Sequence, residues 1–424
     1  MWRTRLIILI TVAVTIVLTV LFLNLQAGER HIRYEMSHTF AVDDPAFVRT
    51  MDVVLGPAVL AGNRVEAFQN GDQIFPPMLE AIRGAQQSVT FETYIYWSGT
   101  VGQWFADALS ERARAGVKVH VLLDWVGAGK LDEAQLEAMK AAGVEVAMYH
   151  PLRWYNLTRM NQRTHRKLLV VDGRIGFTGG VGVADHWLGN AQSPEHWRES
   201  HYRIEGPAVA QMQSAFIDNW IKTKAMVLFG ERYFPALSPV GDLPAQMFKS
   251  SRGEGSESVR LMYLLSIASA SKHIRLQAAY FIPDSLAVQT FVAARARGVR
   301  IEIIVPGPIT DAAIVRNASR SRWGDLLDAG VEIYEFQPTM YHCKVLIVDD
   351  LWVSVGSTNF DDRSFRLNDE ANLNIYDSAF ALAQAQQFEK DKARSRLITR
   401  AEFKDRSAAR KLLDELAGML RRQL

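Results

Sequence analysis

This sequence of 424 residues lacks several features that would place it in a familiar class of protein. Its single cysteine excludes an intramolecular disulfide, and a formal net charge of +2 gives no argument for nucleic acid as a partner. Eight of the ten histidines show no convincing metal-ligand spacing. There is no phosphate-binding P-loop, no GxSxG nucleophile elbow and no dinucleotide-binding fingerprint. These absences leave nucleotide, serine-hydrolase and metal chemistry without support.

Charge is also absent from a long run near the N-terminus. Leu6 to Leu23 contains 18 residues, and only three threonines interrupt its apolar side chains. A helix needs about this length to cross a hydrocarbon layer of roughly 30 Å. A cleaved signal peptide is the alternative, but the run is longer than a typical h-region and residues 24–28 make a poor cleavage site. We predict an uncleaved transmembrane helix within an N-terminal membrane anchor, residues 1–28, whose orientation the balanced basic flanks do not fix.

Helical and strand patterns alternate from about residue 65 onward. Runs rich in β-branched and aromatic residues, such as Ser88 to Tyr96 and Val117 to Asp124, are typical of buried strands. The amphipathic stretches between such runs end at glycines, as helices often do. The second half of the chain repeats this order, with Val299 to Val305 and Val331 to Phe336 among its strands. A βαβ-rich unit that occurs twice predicts an α/β fold with two similar halves.

Composition sets the boundaries of the halves. Residues 235–258 are rich in proline, glycine and serine, which predicts a linker. The first half spans residues 29–234 and starts with an irregular approach that ends near Arg64. Its first helix is predicted from Pro76 to Gln86, with the prolines in the first turn. The second half spans residues 259–424 and includes a C-terminal helix.

The C-terminal helix, Ser407 to Leu424, carries leucines on one face and basic residues elsewhere. The leucines are Leu412, Leu413, Leu416 and Leu420. A helix that packs on the domain is one interpretation of this pattern, and a helix that lies on a membrane surface is the other.

One short motif occurs once in each half, and its two copies have the same spacing. The copies are His165–Lys167–Asp172 and His342–Lys344–Asp349. Side chains two residues apart on a strand point to the same side, so each histidine is expected beside its lysine. Two copies at corresponding places predict one active site assembled from both halves.

These residue types suit phosphoryl transfer. A lysine is a point charge for the non-bridging oxygens of a phosphate. Two histidines allow a two-step displacement, in which one attacks phosphorus and the other transfers protons. Each histidine needs an orienting acid, and Glu199 and Glu370 follow the motifs at comparable distances. The small-residue turns at 179–182 and 356–359 would let the backbone approach a bound group closely.

At these residues the chain resembles the phospholipase D superfamily, whose signature is HxKxxxxD followed by GSxN, present twice. The stretch Phe91-Glu92-Thr93-Tyr94-Ile95-Tyr96 and the region around Trp197 look most like the bacterial cardiolipin synthases within it. The resemblance implies two similar α/β/α halves packed around one shared active site, a phosphohistidine intermediate, and no metal or other cofactor. It also implies roles for the matching residues. The catalytic set is His165, Lys167, Asp172, His342, Lys344 and Asp349, the supporting acids are Glu199 and Glu370, and the phosphate-binding residues are Ser357, Asn359 and Gly180.

Within that pattern, some assignments remain open. The family pattern favours His165 as nucleophile and His342 as general acid and base, although the sequence alone does not decide this. The downstream acids are expected to touch the histidines, which would leave Asp172 and Asp349 with structural roles. Gly182 stands where the second half has Asn359, so the site is expected to be asymmetric.

The resemblance implies a phosphatidyltransferase of the cell inner membrane. Its expected partners are phospholipids, with phosphatidylglycerol as acceptor, and the membrane itself, but not nucleic acid. A phospholipase D that uses water as acceptor is the alternative. A nuclease of the same superfamily is disfavoured by the near-neutral charge and the membrane helix.

Overall fold

A computed structural model describes residues 2–26, 36–151, 161–251 and 258–420. The strands within these ranges, in chain order, are β1 (Leu60–Gln69), β2 (Ser88–Thr93), β3 (Lys118–Asp124), β4 (Glu145–Tyr149), β5 (Leu168–Val171), β6 (Ile175–Gly179), β7 (Ser200–Glu205), β8 (Leu243–Ser250), β9 (His273–Ala278), β10 (Arg300–Pro306), β11 (Glu332–Phe336), β12 (Lys344–Val348), β13 (Trp352–Gly356), β14 (Glu370–Tyr376) and β15 (Ser395–Ile398). The helices are α1 (Trp2–Gln26), α2 (Pro45–Leu55), α3 (Asn70–Gly84), α4 (Thr100–Arg114), α5 (Glu133–Ala141), α6 (Val209–Lys224), α7 (Ser258–Ser269), α8 (Ser285–Ala296), α9 (Ala313–Arg320), α10 (Trp323–Asp328), α11 (Asp362–Arg366), α12 (Ser378–Lys392), α13 (Arg400–Lys404) and α14 (Ala408–Met419).

The strand order displays the duplication. Strands β1 and β8 pair antiparallel at the centre of one mixed sheet. Outward from β1 the order is β7, β6, β5, β2, β3, β4, and outward from β8 it is β14, β13, β12, β9, β10, β11. Strand β15 is added at the outer edge of the second half. The prediction of two similar α/β halves is therefore confirmed.

Each half builds its core where parallel strands meet helices. All six residues of β2 are buried, as expected for a strand that is covered on both faces. On one face, Phe91 of β2 stacks on Phe105 of α4, and Phe75 of α3 meets Phe105 edge-on. Each such ring contributes about 1.5–3 kcal/mol by leaving water.

The two halves also pack directly against each other. One buried cluster joins Val170 of β5 and Ile204 of β7 to Val345 of β12 and Val355 of β13. Separation of the halves would expose these apolar side chains to water, so the halves are expected to fold as one cooperative body. A site at their junction is therefore held from both sides.

Two stretches that were predicted to be irregular contain regular secondary structure. Strand β8 lies within the predicted linker, of which residues 252–257 fall outside the described ranges. Helix α2 and strand β1 occupy part of the predicted irregular approach. Strands β1 and β8 are stabilised by pairing with β7, β14 and each other, which a local pattern does not reveal.

The start of α3 was also predicted wrongly. The helix begins at Asn70, so Pro76 and Pro77 lie in its interior and not in its first turn. Its first turn is held from outside, because the Asn70 N–H donates to the Glu199 carbonyl and the Asp72 N–H to the Gly189 carbonyl. These long-range bonds occupy donors that have no partner within a helix.

The N-terminal helix α1 is long and apolar enough to cross a membrane. Its stretch Trp2–Val20 has a mean hydropathy of 2.0 and is not buried against the rest of the chain. Length and composition alone do not separate an anchor from a signal sequence. Residues 27 and 28 of the predicted anchor lie outside the described part of the chain.

Candidate active site

Both motif histidines stand where a strand of one half meets the backbone of the other. His165 precedes β5, and its N–H donates to the Asp369 carbonyl at 2.8 Å. His342 precedes β12, and its N–H donates to the Arg198 carbonyl at 2.9 Å. Isolated bridges pair Thr164 with Asp369 and Tyr341 with Arg198 at the same points. The backbone of each half thus fixes the position of the other half's histidine.

The histidines and the predicted acids pair across the halves. His165 Nδ1 lies 3.0 Å from both carboxylate oxygens of Glu370, and His342 Nδ1 lies 2.5 Å from Glu199 Oε2. Both carboxylates are fully buried. An Nδ1–H that bonds to a carboxylate leaves Nε2 of the same ring with a lone pair. Each half therefore supplies the acid that orients the other half's histidine.

The two lysines lie beside the histidines. Lys167 Nζ donates to the His165 carbonyl at 2.8 Å, and Lys344 Nζ donates to the His342 carbonyl at 2.7 Å. Lys344 Nζ also lies 3.2 Å from both ring nitrogens of His342. The charge of Lys344 lowers the pKa of His165, and that of Lys167 lowers the pKa of His342. The four groups thus form one electrostatic unit.

Burial sets the protonation of this unit. Loss of hydration lowers the pKa of His165 to about 4, against the opposing pull of Glu370. Burial likewise lowers the pKa of His342 well below its usual value, and that of Lys167 to about 7. His165 is therefore a neutral imidazole at neutral pH, the form that can act as a nucleophile.

The two carboxylates differ in their surroundings. Burial alone would raise the pKa of Glu370, but His165, Lys167 and a hydrogen bond from Ser357 Oγ at 2.6 Å hold it below its usual value. Burial raises the pKa of Glu199. Gly180 occupies the place of Ser357, and a Cβ at Gly180 would lie 2.3 Å from Glu199 Oε2. The Glu199 carboxylate thus takes space that a side chain fills in the second half.

Two of the predicted phosphate-binding residues, Ser357 and Gly180, lie against the two acids of this unit. The Ser357 hydroxyl is engaged with Glu370, while Asn359 is buried and its Oδ1 has no partner among the described residues. The departure at Gly182 has a steric reason, because a Cβ there would lie 2.9 Å from Ile95 Cβ and 3.0 Å from the Trp187 ring. An asparagine would not fit at this position.

The two motif aspartates do not contact the histidines, contrary to the catalytic role predicted for them. Each follows the far end of its strand, roughly 20 Å from the histidine at the rise of a β-strand. Asp172 accepts the backbone N–H groups of residues 86–88, and Asp349 those of residues 271–273. They fix the turns that lead into β2 and β9.

Several aromatic and acidic neighbours were not predicted from the motifs. The Tyr94 ring lies 5.4 Å from the His165 ring, and the Trp197 ring lies 5.3 Å from the His342 ring. Tyr280 donates to Asp311 Oδ2 at 2.5 Å, and the charge of Asp311 partly opposes the lowering of the His342 pKa that burial causes. One signal was available in the sequence, since Tyr94 and Tyr280 follow the corresponding strands β2 and β9 within two residues.

The site's own positive charge comes from side chains. Lys167 and Lys344 bring two basic side chains beside the histidines, and such charges can compensate the non-bridging oxygens of a phosphate. In the ranges that the structure describes, no three His, Cys, Asp or Glu side chains are grouped so as to hold a metal ion.

Comparison with known proteins identifies the family. The family profile described as "Cardiolipin synthase, PLD-like domain" matches residues 78–220 and 263–392, which include both His–Lys motifs. A cardiolipin synthase of Staphylococcus aureus is 34% identical over 366 residues, covering 84% of this chain and 73% of the relative. A cardiolipin synthase of Oceanobacillus iheyensis is 34% identical over 359 residues, covering 84% and 74%.

A solved structure shares the fold. The crystal structure of phosphatidylserine synthase from Haemophilus influenzae superposes with a TM-score of 0.70, covering 89% of this chain and 100% of that chain. The sequence identity is 15%, so this likeness speaks to architecture alone.

Proposed function

This chain belongs to the phospholipase D-like family of cardiolipin synthases and is a phospholipid phosphatidyltransferase, and we propose that it makes cardiolipin through a phosphohistidine intermediate. The crossed His–Glu pairs carry the proposal. They give one buried centre two oriented imidazoles and two lysines, which is what a two-step displacement at phosphorus requires.

In the first step, His165 Nε2 attacks the phosphorus of a donor phospholipid. The P–N bond forms as the bond from phosphorus to the headgroup oxygen breaks, and the departing alcohol takes a proton from His342 Nε2. The His342–Glu199 pair therefore enters this step with one proton on Nε2 and a second shared between Nδ1 and the Glu199 carboxylate. Lys167 and Lys344 bind the non-bridging oxygens, and the Gly180 backbone, Ser357 and Asn359 complete the phosphate site. The neutral state of His165 meets the requirement for a nucleophile, and the assignment over His342 follows the family pattern.

In the second step, His342 takes a proton from the hydroxyl of a second phospholipid, for which we propose phosphatidylglycerol. The oxygen attacks phosphorus, the P–N bond breaks, and His165 is released as a neutral imidazole. With phosphatidylglycerol as donor too, the products are cardiolipin and glycerol. Water in place of the acceptor would give phosphatidic acid.

Product analysis tests the transfer. Purified full-length protein in vesicles that contain phosphatidylglycerol should form cardiolipin and glycerol in equal amounts. His165→Ala protein is the control for background turnover. Phosphatidic acid as the sole lipid product would make the protein a phospholipase D instead.

Trapping the intermediate tests the roles of the two histidines. After brief reaction with phosphorus-labelled lipid and acid-free quenching, label should stay on the peptide that contains His165 and should accumulate in His342→Ala protein. Label on the peptide that contains His342, retained in His165→Ala protein, would reverse the roles.

We also propose that α1 is an uncleaved single-pass anchor in the cell inner membrane. Its apolar length supports this. The intact mass of membrane-extracted protein should include residues 1–28, whereas a mass that lacks them would identify a cleaved signal peptide.

A further inference from the structure

The C-terminal helix α14 packs on the domain with the face opposite to the one its sequence suggests. Asp414 and Ala417 face inward and are buried. The large apolar side chains of the helix face outward with 46–79% of their surface exposed, and they are Leu412, Leu413, Leu416, Met419 and Leu420. We call these five residues the outer apolar face. At 100° per residue they fill an arc of about 120°.

This orientation is the opposite of that of a surface helix in a soluble protein. A surface helix normally buries its apolar stripe and exposes its charges. Here the buried Asp414 is ion-paired with Arg406 and lies 3.7 Å from Arg320, so a charged group fixes the helix to the domain. The helix is held without use of its leucines, and the outer apolar face remains available for another contact.

The helix lies at the end of the sheet that carries the two motif histidines. This is the end where β2, β3, β9 and β10 finish and where β5 and β12 begin. Ala417 packs in one cluster with Ile282, which follows β9, and with Val315, which follows β10. Asp311, in the same turn after β10, acts electrostatically on His342. The wall that carries α14 therefore also borders the catalytic histidine.

Other exposed apolar side chains border the same end. Ile314 of α9, the helix on which α14 packs, is exposed. In the first half, Trp125 and Val126 are exposed in the turn that follows β3. A partly exposed tryptophan is typical of a surface that meets the headgroup region of a bilayer. Both halves thus present apolar groups around the mouth of the site.

We propose that the outer apolar face of α14 docks on an anionic phospholipid surface and so holds the mouth of the active site against the membrane. Two exposed basic residues in the first turn of α14, Arg410 and Lys411, carry the charge that such a surface attracts. The inference rests on the proposed function for its substrate, since a lipid whose tails stay in the bilayer must reach a buried phosphate site. A second copy of this chain is the competing occupant.

Depth labelling tests the docking without reference to catalysis. In full-length protein reconstituted into vesicles of phosphatidylglycerol and phosphatidylcholine, an environment-sensitive dye is placed on Leu416→Cys. The native Cys343 is buried, and unsubstituted protein measures its background labelling. The matched control is Val53→Cys, an exposed apolar position on α2 near the opposite end of the sheet, where β1 begins.

The dye at 416 should be quenched by nitroxide-bearing lipid and protected from iodide, while the dye at 53 should show the reverse. Quenching by lipid at 53 but not at 416 would overturn the proposal and would place the other end of the sheet on the membrane. The dye at 416 could instead be protected from iodide in detergent as dimers form, with no quenching by lipid. That result would assign the outer apolar face to a second copy of this chain.

Activity provides an independent readout. Leu412→Ser combined with Leu416→Ser should lower turnover of vesicle-borne phosphatidylglycerol by about tenfold or more, because two leucines that the bilayer would cover are lost from the lipid contact. Turnover of dispersed short-chain phosphatidylglycerol should stay within about twofold. Val53→Ser with Val54→Ser is the control pair and should change neither. Equal loss on both substrates would contradict docking. Absence of cardiolipin formation by the unsubstituted protein would instead sink the proposed function.

Discussion

The two halves of this molecule share a fold and a His–Lys pair but differ in the turn that follows the catalytic hairpin. In the second half, the turn 356–359 carries Ser357 and Thr358, which bond to Glu370 and Asn372. In the first half, the turn 179–182 carries Gly180 and Val181 and offers no hydroxyl. The two halves therefore share the histidine and lysine that a two-step displacement needs, but the residues around their acids differ.

The divergence leaves the two acids unequal. Glu370 receives hydrogen bonds from Ser357 and from Asn368 Nδ2 at 3.3 Å, and its pKa is held below the usual value, although burial opposes this. Glu199 receives the Ser200 N–H at 2.8 Å, and burial raises its pKa. Nearby, both ring nitrogens of the buried His201 lack partners among the described residues. The second half thus supplies a firmly charged acid, and the first half supplies one that shares a proton more readily with His342.

Replacement of each acid by glutamine should give the largest difference between the halves. Glu370→Gln should lower kcat by about 10³–10⁴-fold, because an uncharged amide cannot stabilise the cationic form of His165 or fix its tautomer. Glu199→Gln should cost roughly tenfold less. Single-turnover rates with phosphatidylglycerol measure both effects. Glu302→Gln, which disturbs a buried His–Glu pair with His273 outside the site, is the control and should keep near-normal activity. Equal losses at 370 and 199 would mean that the two acids do the same work.

Substitution of the turn residues should lower kcat by a smaller factor, and by different factors in the two halves. Gly180→Ser, which gives the first half the residue of the second, should lower kcat by about 100-fold, because the new Cβ forces Glu199 from His342. Ser357→Ala should lower kcat by only about tenfold, the value of one hydrogen bond to a charged group. Full activity of the Gly180→Ser protein would show that the first half tolerates the serine and that the asymmetry has no chemical consequence.

The sequence predicted the reactive residues of this site better than the contacts that hold them in place. A strict spacing of two residues on a strand was enough to bring His165 beside Lys167, and the duplication was enough to expect one shared site. The pairing of Glu370 with His165 across the halves joins residues 205 positions apart, and such a contact leaves no local pattern. The inverted face of α14 was equally hidden, because periodicity identifies an apolar stripe but not the surface that covers it.

The two motif aspartates should behave alike, in contrast to the acids of the site. Asp172→Ala and Asp349→Ala each remove a carboxylate that accepts three backbone N–H groups, and each should lower the free energy of unfolding by about 1–3 kcal/mol. Denaturant titration measures this loss, and kcat at low temperature should stay within about twofold. The matching asparagine variants should recover part of the stability. A large loss of kcat at unchanged stability would return these aspartates to the chemistry.

The smallest expected effect lies in the pH dependence of the two lysines. Burial lowers the pKa of Lys167 to about 7 and also lowers that of Lys344. Above pH 7 the free enzyme therefore loses positive charge from the first half, and kcat/KM should fall by at most about tenfold per pH unit.

Stability should move the other way. Between about pH 7 and the ordinary lysine range, the unfolded chain binds more protons at residue 167 than the folded chain, so the Lys167 contribution makes the free energy of unfolding rise with pH. Falling activity with undiminished stability would separate titration of the site from unfolding. Lys167→Arg keeps its charge and should flatten the alkaline limb, whereas Lys344→Arg should leave the limb near pH 7 in place. If Lys344→Arg alone removed that limb, the lysine that titrates near pH 7 would be the one in the second half. The halves would then differ in their acids, as described above, but Lys167 would not be the group that loses its charge.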